Sequence, residues 1–373
     1  MRIGFDGKKA VSNLTGIGNY SRGIINLTAL AGNEALVYAP TEGTERCRAG
    51  LSDSPLITYR ISDCCNALTR EWWRNAGVCR VIAADHPDIF HGLSNELPFG
   101  IEKTGVRSVV TIHDLIFLRL PHTYPALQRA ILKRKTLHAC RVASRIIAIS
   151  ERTRRDIVEL YGIDENKIEV IYQGCHALFH QVAPEALREE VAALYDLPPH
   201  YLISVGTVEE RKNHAAIIEA LAKTTSQLPL VIVSKSTPLQ RRLEERIARL
   251  GLTDRVIFLN SVPLGHLPAL YQMATAALYV SRYEGFGIPV IEALASGIPV
   301  VAATGSCLEE AGGPGAIYCA PDDIAAIAAA IDSLADSTEL REQLVEQGRA
   351  HIARFSADTL SARMDEFYRK VLG

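Results

Sequence analysis

Short apolar runs that alternate with helix-length amphipathic stretches constrain the fold of this chain more than any other feature. The runs are rich in Val and Ile without inward–outward alternation, which is typical of strands buried on both faces of a parallel sheet. Between them, for example at 125–142 and 151–161, apolar residues recur three and four positions apart, as on one face of a helix. The pattern therefore predicts an α/β protein built from helix-covered parallel sheets.

The predicted strands fall into two successive series. The first comprises 2–6, 35–39, 88–92, 108–114, 145–150 and 168–174, and the second comprises 201–207, 228–234, 255–261, 276–281, 298–303 and 316–320. We therefore expect two doubly wound, Rossmann-like domains that face each other across a cleft. The N-terminal domain is predicted over 1–178 and the C-terminal domain over 179–355, and a final helix, 356–373, is expected to pack back on the N-terminal domain.

Composition and charge exclude several classes of protein. A formal net charge of −2 gives no reason to expect a nucleic acid as partner. The apolar run at the N-terminus is too short for a signal peptide, and no window approaches the roughly 18 apolar residues of a membrane span. The eight cysteines include no C-x-x-C pair, and no set of four Cys or His residues has the spacing of a structural zinc site. We expect a cytoplasmic protein with reduced thiols and no metal or other cofactor.

Residues directly after the predicted strands should carry the function, because ligands in open α/β sheets bind outside the carboxyl ends of the strands. Gly16 and Gly18 precede a helix that is predicted to open near Asn19 or Tyr20. Glycines in such a position let backbone N–H groups approach an anion at the helix N-terminus. A turn that binds no ligand accounts for the two glycines equally well.

Polar and charged groups follow two further strands. His113 and Asp114 either cap the next turn or point into the cleft, where a histidine can bond a hydroxyl. Asn213 is a predicted N-cap, which places Arg211 and Lys212 beside a helix N-terminus. The helix dipole disfavours cations at that end, so the simpler explanation is a bound anion, such as phosphate.

The stretch SRYEGFGIPVIEALASGIPVVAA, residues 281–303, combines a second pair of glycines with two carboxylates. Gly285 and Gly287 predict another anion cradle before a helix. Glu284 lies in the loop and Glu292 about one turn into the helix, so both carboxylates can face the same end of the sheet. The helix dipole alone explains Glu292 but not Glu284. Because carboxylates accept hydrogen bonds from paired hydroxyls, the combination suggests a nucleotide-linked sugar.

The segment EGFGIPVIEALASGIPVV resembles the Glu-x7-Glu segment of retaining glycosyltransferases of the GT-B fold, family 4. TGIGNY, TIHDLIF, RIIAISERTRRDI, VGTVEERKNH and SCLEEAGGPGAIY are similar to further motifs of that family, in the same order. The resemblance covers nearly the whole chain. It implies a hexosyltransferase that moves a sugar from a nucleotide diphosphate sugar to a hydroxyl of a glycan or lipid-linked glycan. The letters RKN at 211–213 resemble those of one subgroup of the family. This resemblance favours GDP-mannose over a UDP-sugar as the donor and implies a role in surface polysaccharide or lipopolysaccharide assembly.

The resemblance also assigns roles to residues of the C-terminal half. Glu284 would contact hydroxyls of the donor sugar, and Glu292 would contact the ribose of the nucleotide. The backbone amides around Phe286, Gly287 and Ile288 would hold the diphosphate.

Three more positions match the family, and one departs from it. Lys212 matches a phosphate-binding lysine, Gly16 a glycine close to the donor phosphates, and His113 a histidine that reaches the transferred sugar. Many members carry an arginine where this chain has Thr207, and Arg211 is the implied substitute.

The implied reaction builds negative charge on the departing diphosphate. Lys212, Arg211 and the helix N-termini would stabilise this charge in place of a divalent cation, so we expect metal independence. We expect the leaving phosphate to act as the base that takes the proton of the acceptor hydroxyl. The alternative is a covalent mechanism in which Asp114 is the nucleophile. A nucleotide-sugar 2-epimerase of the same fold would lack the Glu-x7-Glu spacing, and an NAD-dependent oxidoreductase would need a G-x-G-x-x-G motif that is not present.

A basic helical stretch, RAILKRKTLHACRVASR at 129–145, has two interpretations. It is either a solvated charged face or a patch for anionic membrane lipid, which would suit a lipid-linked acceptor at the cytoplasmic face of the membrane. Trp72 and Trp73 either add an aromatic contact or pack within a helix.

Overall fold

Two parallel sheets, one in each of two units, make up the structure. The computed structural model describes residues 1–373. One unit comprises Met1–Gln173 together with Phe355–Gly373, and the other comprises Gly174–Arg354. The boundaries drawn from the sequence, after residues 178 and 355, lie slightly further along the chain.

The N-terminal unit contains a seven-stranded parallel sheet in the order β3-β2-β1-β4-β5-β6-β7. Its strands are β1 (Arg2–Asp6), β2 (Glu34–Ala39), β3 (Ile57–Ile61), β4 (Ile89–Gly92), β5 (Arg107–Ile112), β6 (Arg145–Ala148) and β7 (Ile168–Val170). Its helices up to residue 173 are α1 (Lys8–Ser12), α2 (Gly16–Leu30), α3 (Glu45–Arg48), α4 (Ala67–Trp72), α5 (Val78–Asp85), α6 (Ile116–Arg119), α7 (Ala126–Val142) and α8 (Glu151–Tyr161). Buried apolar residues of β2, β4, β5 and β6 pack with those of α5 and α7.

The C-terminal unit repeats this plan with a six-stranded parallel sheet in the order β10-β9-β8-β11-β12-β13. Its strands are β8 (Leu202–Val205), β9 (Leu230–Ser234), β10 (Val256–Asn260), β11 (Ala276–Tyr279), β12 (Val300–Ala303) and β13 (Ala316–Cys319). Its helices are α9 (Glu185–Leu194), α10 (His214–Leu221), α11 (Pro238–Arg249), α12 (Leu267–Met273), α13 (Ile288–Ala295), α14 (Leu308–Gly312), α15 (Ile324–Asp336) and α16 (Thr338–Ile352). Residues of β8, β9, β11, α10, α11 and α15 form a hydrophobic core cluster of this unit.

The predicted strands are present, although most end earlier than predicted. The strand predicted over 108–114 ends at Ile112, and the one over 168–174 ends at Val170, because the following residues leave the ladder to form loops. β3 was missed. It is an edge strand with exposed residues at its centre, so it lacks the continuous apolar run that marks a strand buried on both faces.

The strand order reverses between β1 and β4 in one unit and between β8 and β11 in the other. Ligands of open α/β sheets bind at the carboxyl ends of strands that flank such a reversal. In the C-terminal unit this rule selects the loops that follow β8 and β11.

The last helix, α17 (Ala357–Leu372), belongs to the N-terminal unit although it ends the chain. Asn33 Nδ2 donates to Asp365 Oδ1 over 2.9 Å, and His91 Nδ1 lies 2.8 Å from the hydroxyl of Tyr368. These bonds join α17 to residues near the start of β2 and within β4. None of the helices has the length and hydrophobicity that a membrane span requires.

Candidate active site

The loops after β8 and β11 bring the charged residues of the C-terminal unit together. The two strands pair directly in the sheet. The carbonyl oxygen of Arg211 accepts hydrogen bonds from Ser281 Oγ over 3.0 Å and from the backbone N–H of Arg282 over 2.8 Å. Residues about 70 positions apart in the sequence are thereby fixed against each other at one edge of the sheet.

Glu284 is the centre of this cluster and is only 8% exposed. Its Oε1 accepts hydrogen bonds from Tyr279 Oη over 2.9 Å and from Ser281 Oγ over 2.7 Å, and lies 2.6 Å from Lys212 Nζ. Its Oε2 lies 2.6 Å from Arg211 Nη1. Burial acts to raise the pKa of Glu284, but the charges of Lys212 and Arg211 outweigh it and lower the pKa to about 2. Glu284 is therefore ionised at neutral pH.

The two predicted phosphate-binding cations both contact this carboxylate. Arg211 Nη1 also donates to the carbonyl of Tyr283 over 3.1 Å, and Arg211 Nε lies 3.1 Å from Glu209 on the exposed side. Burial lowers the pKa of Lys212, although Glu284 acts in the opposite direction. The arrangement forms a partly buried pair of cations balanced by one carboxylate.

Asn213 is the N-cap residue of α10, as predicted, but its side chain makes no capping hydrogen bond. Its φ of 60° is left-handed, whereas a side-chain cap requires extended backbone. Its Nδ2 donates instead to the carbonyls of Val280 and Pro321, over 3.2 and 2.6 Å. Asn213 thus ties the loop after β8 to the end of β11, and Thr207 lies at the start of that loop.

The start of α13 forms the predicted turn after Gly285 and Phe286. Gly287 has a φ of 125°, and a Cβ at this position would lie 2.7 Å from Leu308 Cδ2. Only glycine satisfies both constraints. α13 begins at Ile288 with Pro289 in its first turn. As at any helix start, the first backbone N–H groups have no partner within the helix.

Glu292 lies one turn into α13 and contacts a second tyrosine. Tyr271 Oη donates to Glu292 Oε2 over 3.3 Å. The Tyr271 ring packs edge-on against Phe179 at a centroid distance of 5.8 Å. Burial raises the pKa of Glu292 to about 7, with the Tyr271 hydrogen bond and the charge of Lys212 acting in the opposite direction.

Tyr279, Ser281 and Tyr271 are site residues that sequence reasoning missed. Tyr279 and Tyr271 occupy buried positions in a strand and a helix, where aromatic residues ordinarily serve packing. The only available signal was the polar Ser281 directly after an apolar strand.

In the N-terminal unit, His113 lies just beyond β5 and is buried. Its Nε2 donates to the carbonyl of Leu93 over 2.8 Å, and the ring of Tyr20 stands nearly perpendicular to it at 4.7 Å. Burial lowers the pKa of His113 to about 4, so the ring is neutral with Nδ1 as its acceptor. Asp114 Oδ1 accepts from the N–H of Ile116 over 3.0 Å, which agrees with the capping alternative.

The helix predicted to open near Asn19 or Tyr20 begins earlier, at Gly16. Glycines are unfavourable within helices, which is why the sequence placed the start after them. A Cβ at Gly18 would collide with the carbonyl of Asn13, so packing alone requires this glycine. A Cβ at Gly16 would meet nothing within 4 Å, and Gly16 is therefore left open on one side.

The basic stretch 129–145 lies mostly in α7, and its charges are used in different ways. Lys135 lies 3.3 Å from Glu96 and 3.6 Å from Glu71, whereas Lys133, Arg134 and Arg141 are exposed. The two tryptophans also differ: Trp72 is 60% exposed, and Trp73 packs against the core.

No three His, Cys, Asp or Glu side chains are grouped closely enough to hold a metal ion.

Solved structures that are also built from two Rossmann-like domains show that this chain has the GT-B glycosyltransferase fold. Anabaena Alr3699/HepE, solved in complex with UDP and glucose, aligns with a TM-score of 0.76 and 19% identity over 99% of this chain and 100% of that one. WaaG, a glycosyltransferase involved in lipopolysaccharide biosynthesis, aligns with a TM-score of 0.73 and 16% identity over 98% and 99% of the two chains.

Sequence comparison then gives the family. A model described as glycosyltransferase family 4 matches residues 14–177, and one described as glycosyl transferases group 1 matches residues 188–351. The two matches together span most of both units. The chain therefore belongs to the glycosyltransferases described as family 4 and group 1.

Individual proteins of similar sequence are named as mannosyltransferases or other glycosyltransferases. The O-antigen chain mannosyltransferase B of Escherichia coli is 29% identical over 76% of this chain and 75% of its own length. The O-antigen chain mannosyltransferase RfbU of Salmonella typhimurium is 26% identical over 67% and 66%. A D-inositol 3-phosphate glycosyltransferase of Acidothermus cellulolyticus is 29% identical over 80% and 71%.

Proposed function

We propose that this protein is a retaining mannosyltransferase that moves mannose from GDP-mannose to a hydroxyl of a glycan or lipid-linked glycan. The observation that carries the proposal is the cluster of Glu284, Arg211 and Lys212 beside the start of α13. It combines an ionised acceptor for sugar hydroxyls with two cations suited to a diphosphate. The names of the O-antigen relatives support mannose as the sugar.

The contacts of Glu284 with Lys212 and Arg211 suggest how the donor binds. Lys212 and Arg211 turn from Glu284 to the diphosphate, whose charge exceeds that of the carboxylate. Glu284 is then free to accept hydrogen bonds from hydroxyls of the sugar, and Glu292 accepts from the ribose. The exchange keeps the two cations paired with an anion and the carboxylate hydrogen-bonded, which avoids the large cost of an unsatisfied buried charge.

The same cations serve the chemical step. As the bond to the sugar breaks, negative charge grows on the diphosphate, and Lys212, Arg211 and the N-terminus of α13 stabilise it. The departing phosphate takes the proton of the acceptor hydroxyl on the same face of the sugar, which retains the anomeric configuration. His113 bonds a hydroxyl of the transferred sugar through Nδ1. No divalent cation is required by this scheme.

Purified protein with a panel of GDP- and UDP-sugars tests the proposal. GDP-mannose should raise the melting temperature most, because a ligand that binds only the folded state stabilises it. With a mannose-terminated oligosaccharide as acceptor, NMR should show an α-linked product, and EDTA should leave the rate unchanged. A β-linked product or inhibition by EDTA would contradict the mechanism. Conversion of the sugar nucleotide itself, without transfer, would identify a 2-epimerase instead.

A surface of the N-terminal unit favours peripheral contact with an anionic membrane, where a lipid-linked acceptor would lie. Leu68 and Trp72 of α4 and Leu127 and Ile131 of α7 are 85%, 60%, 75% and 47% exposed, and we call them the α4/α7 patch. An ion pair between Glu71 and Lys135 joins the two helices over 3.6 Å. Exposed apolar residues beside exposed cations are typical of surfaces that lie on anionic membranes.

Vesicle sedimentation tests this contact. Binding to vesicles that contain phosphatidylglycerol should fall when Trp72 and Ile131 are changed to Ser, and again when Lys133 and Arg134 are changed to Gln. Leu194→Ser removes an equally exposed leucine from α9, outside the patch, and serves as the matched control. Equal binding of all variants would contradict the contact.

A further inference from the structure

Tyr279, the last residue of β11, contacts both charges on which the proposed donor site depends. Its hydroxyl donates to Glu284 Oε1 over 2.9 Å and accepts a hydrogen bond from Lys212 Nζ. Lys212 Nζ also lies 4.6 Å from the centroid of the Tyr279 ring, within the range of a cation–π contact. The hydroxyl and the ring of one side chain therefore both act on Lys212.

The backbone and the surroundings of Tyr279 fix its position. The residue is buried and pairs with Ala302 of β12 in the sheet register. Burial raises the pKa of its phenol well above the usual range, so the hydroxyl keeps its proton. Because that proton points to Glu284, the oxygen presents a lone pair to Lys212.

We infer that Tyr279 is a positioning residue that keeps Lys212 as an ammonium ion and holds Glu284 in place while Lys212 moves from Glu284 to the diphosphate. The inference deepens the proposed function and rests on it. When the ammonium leaves Glu284, Oε1 still accepts hydrogen bonds from the hydroxyls of Tyr279 and Ser281. The carboxylate is thus never left as an unsatisfied buried acceptor, which would be costly.

Ser281 provides an internal comparison. Its single hydroxyl proton is shared between Glu284 Oε1 at 2.7 Å and the carbonyl of Arg211 at 3.0 Å, whereas the hydroxyl of Tyr279 bonds Glu284 and Lys212. Removal of the Ser281 hydroxyl therefore weakens the hold on Glu284 and on the backbone of Arg211, but it takes no acceptor from Lys212. Removal of the Tyr279 hydroxyl affects Glu284 and Lys212 together.

The pH dependence separates the two effects. Burial lowers the pKa of Lys212, Glu284 and Glu209 act to raise it, and Arg211 acts to lower it further. The charge of Lys212 also acts on the pKa of Glu292 and of His214. The Tyr279 oxygen is an uncharged acceptor for the ammonium ion, so its loss lowers the pKa of Lys212. Activity that requires the ammonium should then fail at a lower pH.

The experiment measures kcat and the KM for GDP-mannose from about pH 6 to pH 10, a range that spans the titration of a depressed lysine. Tyr279→Phe should reduce kcat by roughly 10- to 100-fold, the expected loss for one hydrogen bond to a charged group. It should also move the alkaline limb of the pH profile of kcat/KM, where activity falls as Lys212 loses its proton, to lower pH. Ser281→Ala should reduce activity without moving that limb. Tyr201→Phe is the matched control, because the buried hydroxyl of Tyr201 donates only to the carbonyl of Leu270.

The outcomes separate this inference from the proposed function. If Lys212→Ala or Glu284→Gln retains full transfer, the proposed function is wrong. If both abolish transfer while Tyr279→Phe keeps the wild-type limb, only the role of Tyr279 is overturned, whatever the variant's stability. If Tyr279→Phe does not fold, 3-fluorotyrosine at position 279 weakens the hydroxyl as an acceptor and retains the side chain's shape. An unmoved limb in that protein overturns the inference as well.

Discussion

At the scale of single residues, Glu284 determines the charge state of the site around it. One carboxylate accepts hydrogen bonds from two hydroxyls and forms ion pairs with two cations. Arg211 and Lys212 would otherwise be two positive charges in a partly buried position. The residue that the resemblance assigns to the donor sugar is thus also the residue that balances the two cations.

Glu284→Gln should therefore lower stability as well as activity. Removing one partner of a buried ion pair leaves an uncompensated charge, and such changes cost about 3–5 kcal/mol. Chemical unfolding measures this loss. Glu209→Gln is the control: Glu209 contacts Arg211 from an exposed position, where an ion pair is worth about 0–1 kcal/mol. Added GDP should restore more stability to Glu284→Gln than to wild type, and equal stabilisation would contradict the proposed exchange of partners.

Glu292 leads to a prediction about pH. Burial raises its pKa to about 7, so Glu292 is protonated and loses its negative charge as the pH falls through that value. Protonation removes an acceptor for the ribose, and GDP affinity should decrease by at most about tenfold per pH unit below the pKa. Calorimetric titrations at several pH values measure the decrease. Glu292→Gln gives the baseline, because it retains the titration of the diphosphate itself.

The hydrogen bond from Tyr271 favours the ionised form of Glu292. Tyr271→Phe should therefore move the midpoint of GDP binding to higher pH. A midpoint that stays in place would show that Tyr271 does not act on Glu292.

At the scale of elements, the start of α2 contains two glycines with different physical reasons. Gly18 must be glycine because the chain at Asn13 crosses directly against it, whereas Gly16 has open space where a Cβ would lie. Arg22 Nη1 donates to the carbonyls of Ala10 and Asn13, each over 2.8 Å, and holds that crossing segment in place. Packing therefore explains Gly18 and does not explain Gly16.

Gly16→Ala should stabilise the N-terminal unit by about 0.4–1 kcal/mol, because alanine reduces the entropy of the unfolded chain at a compatible helical position. It should also reduce transfer, if backbone at Gly16 approaches the donor phosphates. Gly18→Ala should instead destabilise the protein. Thermal unfolding and donor turnover of both variants check these expectations, and full activity of Gly16→Ala would remove Gly16 from the donor site.

At the scale of the whole molecule, the chain leaves the N-terminal unit after Gln173 and returns to it at Phe355. The returning helix α17 contributes Tyr368 to a buried row of polar side chains. Tyr368 bonds His91, the other ring nitrogen of His91 bonds Thr111, and Thr111 bonds Tyr20, each over 2.8–3.0 Å. The ring of Tyr20 in turn packs edge-to-face against His113. The end of the chain is thus connected to a candidate site residue.

Tyr368→Phe should destabilise the N-terminal unit by about 1–3 kcal/mol, since His91 loses a buried hydrogen-bond partner. Stability should also depend on pH. Burial lowers the pKa of His91 to about 3, so its contribution is fully present above the ordinary histidine pKa and is lost as the pH falls toward 3. Urea unfolding at neutral and mildly acidic pH measures both effects. Tyr59→Phe, on the half-exposed edge strand β3, should leave stability nearly unchanged.

The sequence by itself determined the fold class and the positions of twelve of the thirteen strands in two series, because continuous Val and Ile runs are a local property of buried parallel strands. It missed β3, whose edge position removes that local signal. It also located Glu284, Glu292, Arg211 and Lys212, because strand ends, glycines and charged residues can be recognised from neighbouring positions.

Only the tertiary structure decided which of these groups contact one another. Ion pairs between Glu284 and residues some 70 positions earlier depend on β8 and β11 being neighbours in the sheet, and sequence spacing contains no record of that pairing. The roles of Tyr279 and Tyr271 were hidden for a related reason. A buried tyrosine has the same apolar pattern whether its hydroxyl bonds a carboxylate or a backbone carbonyl, and only three-dimensional packing distinguishes the two.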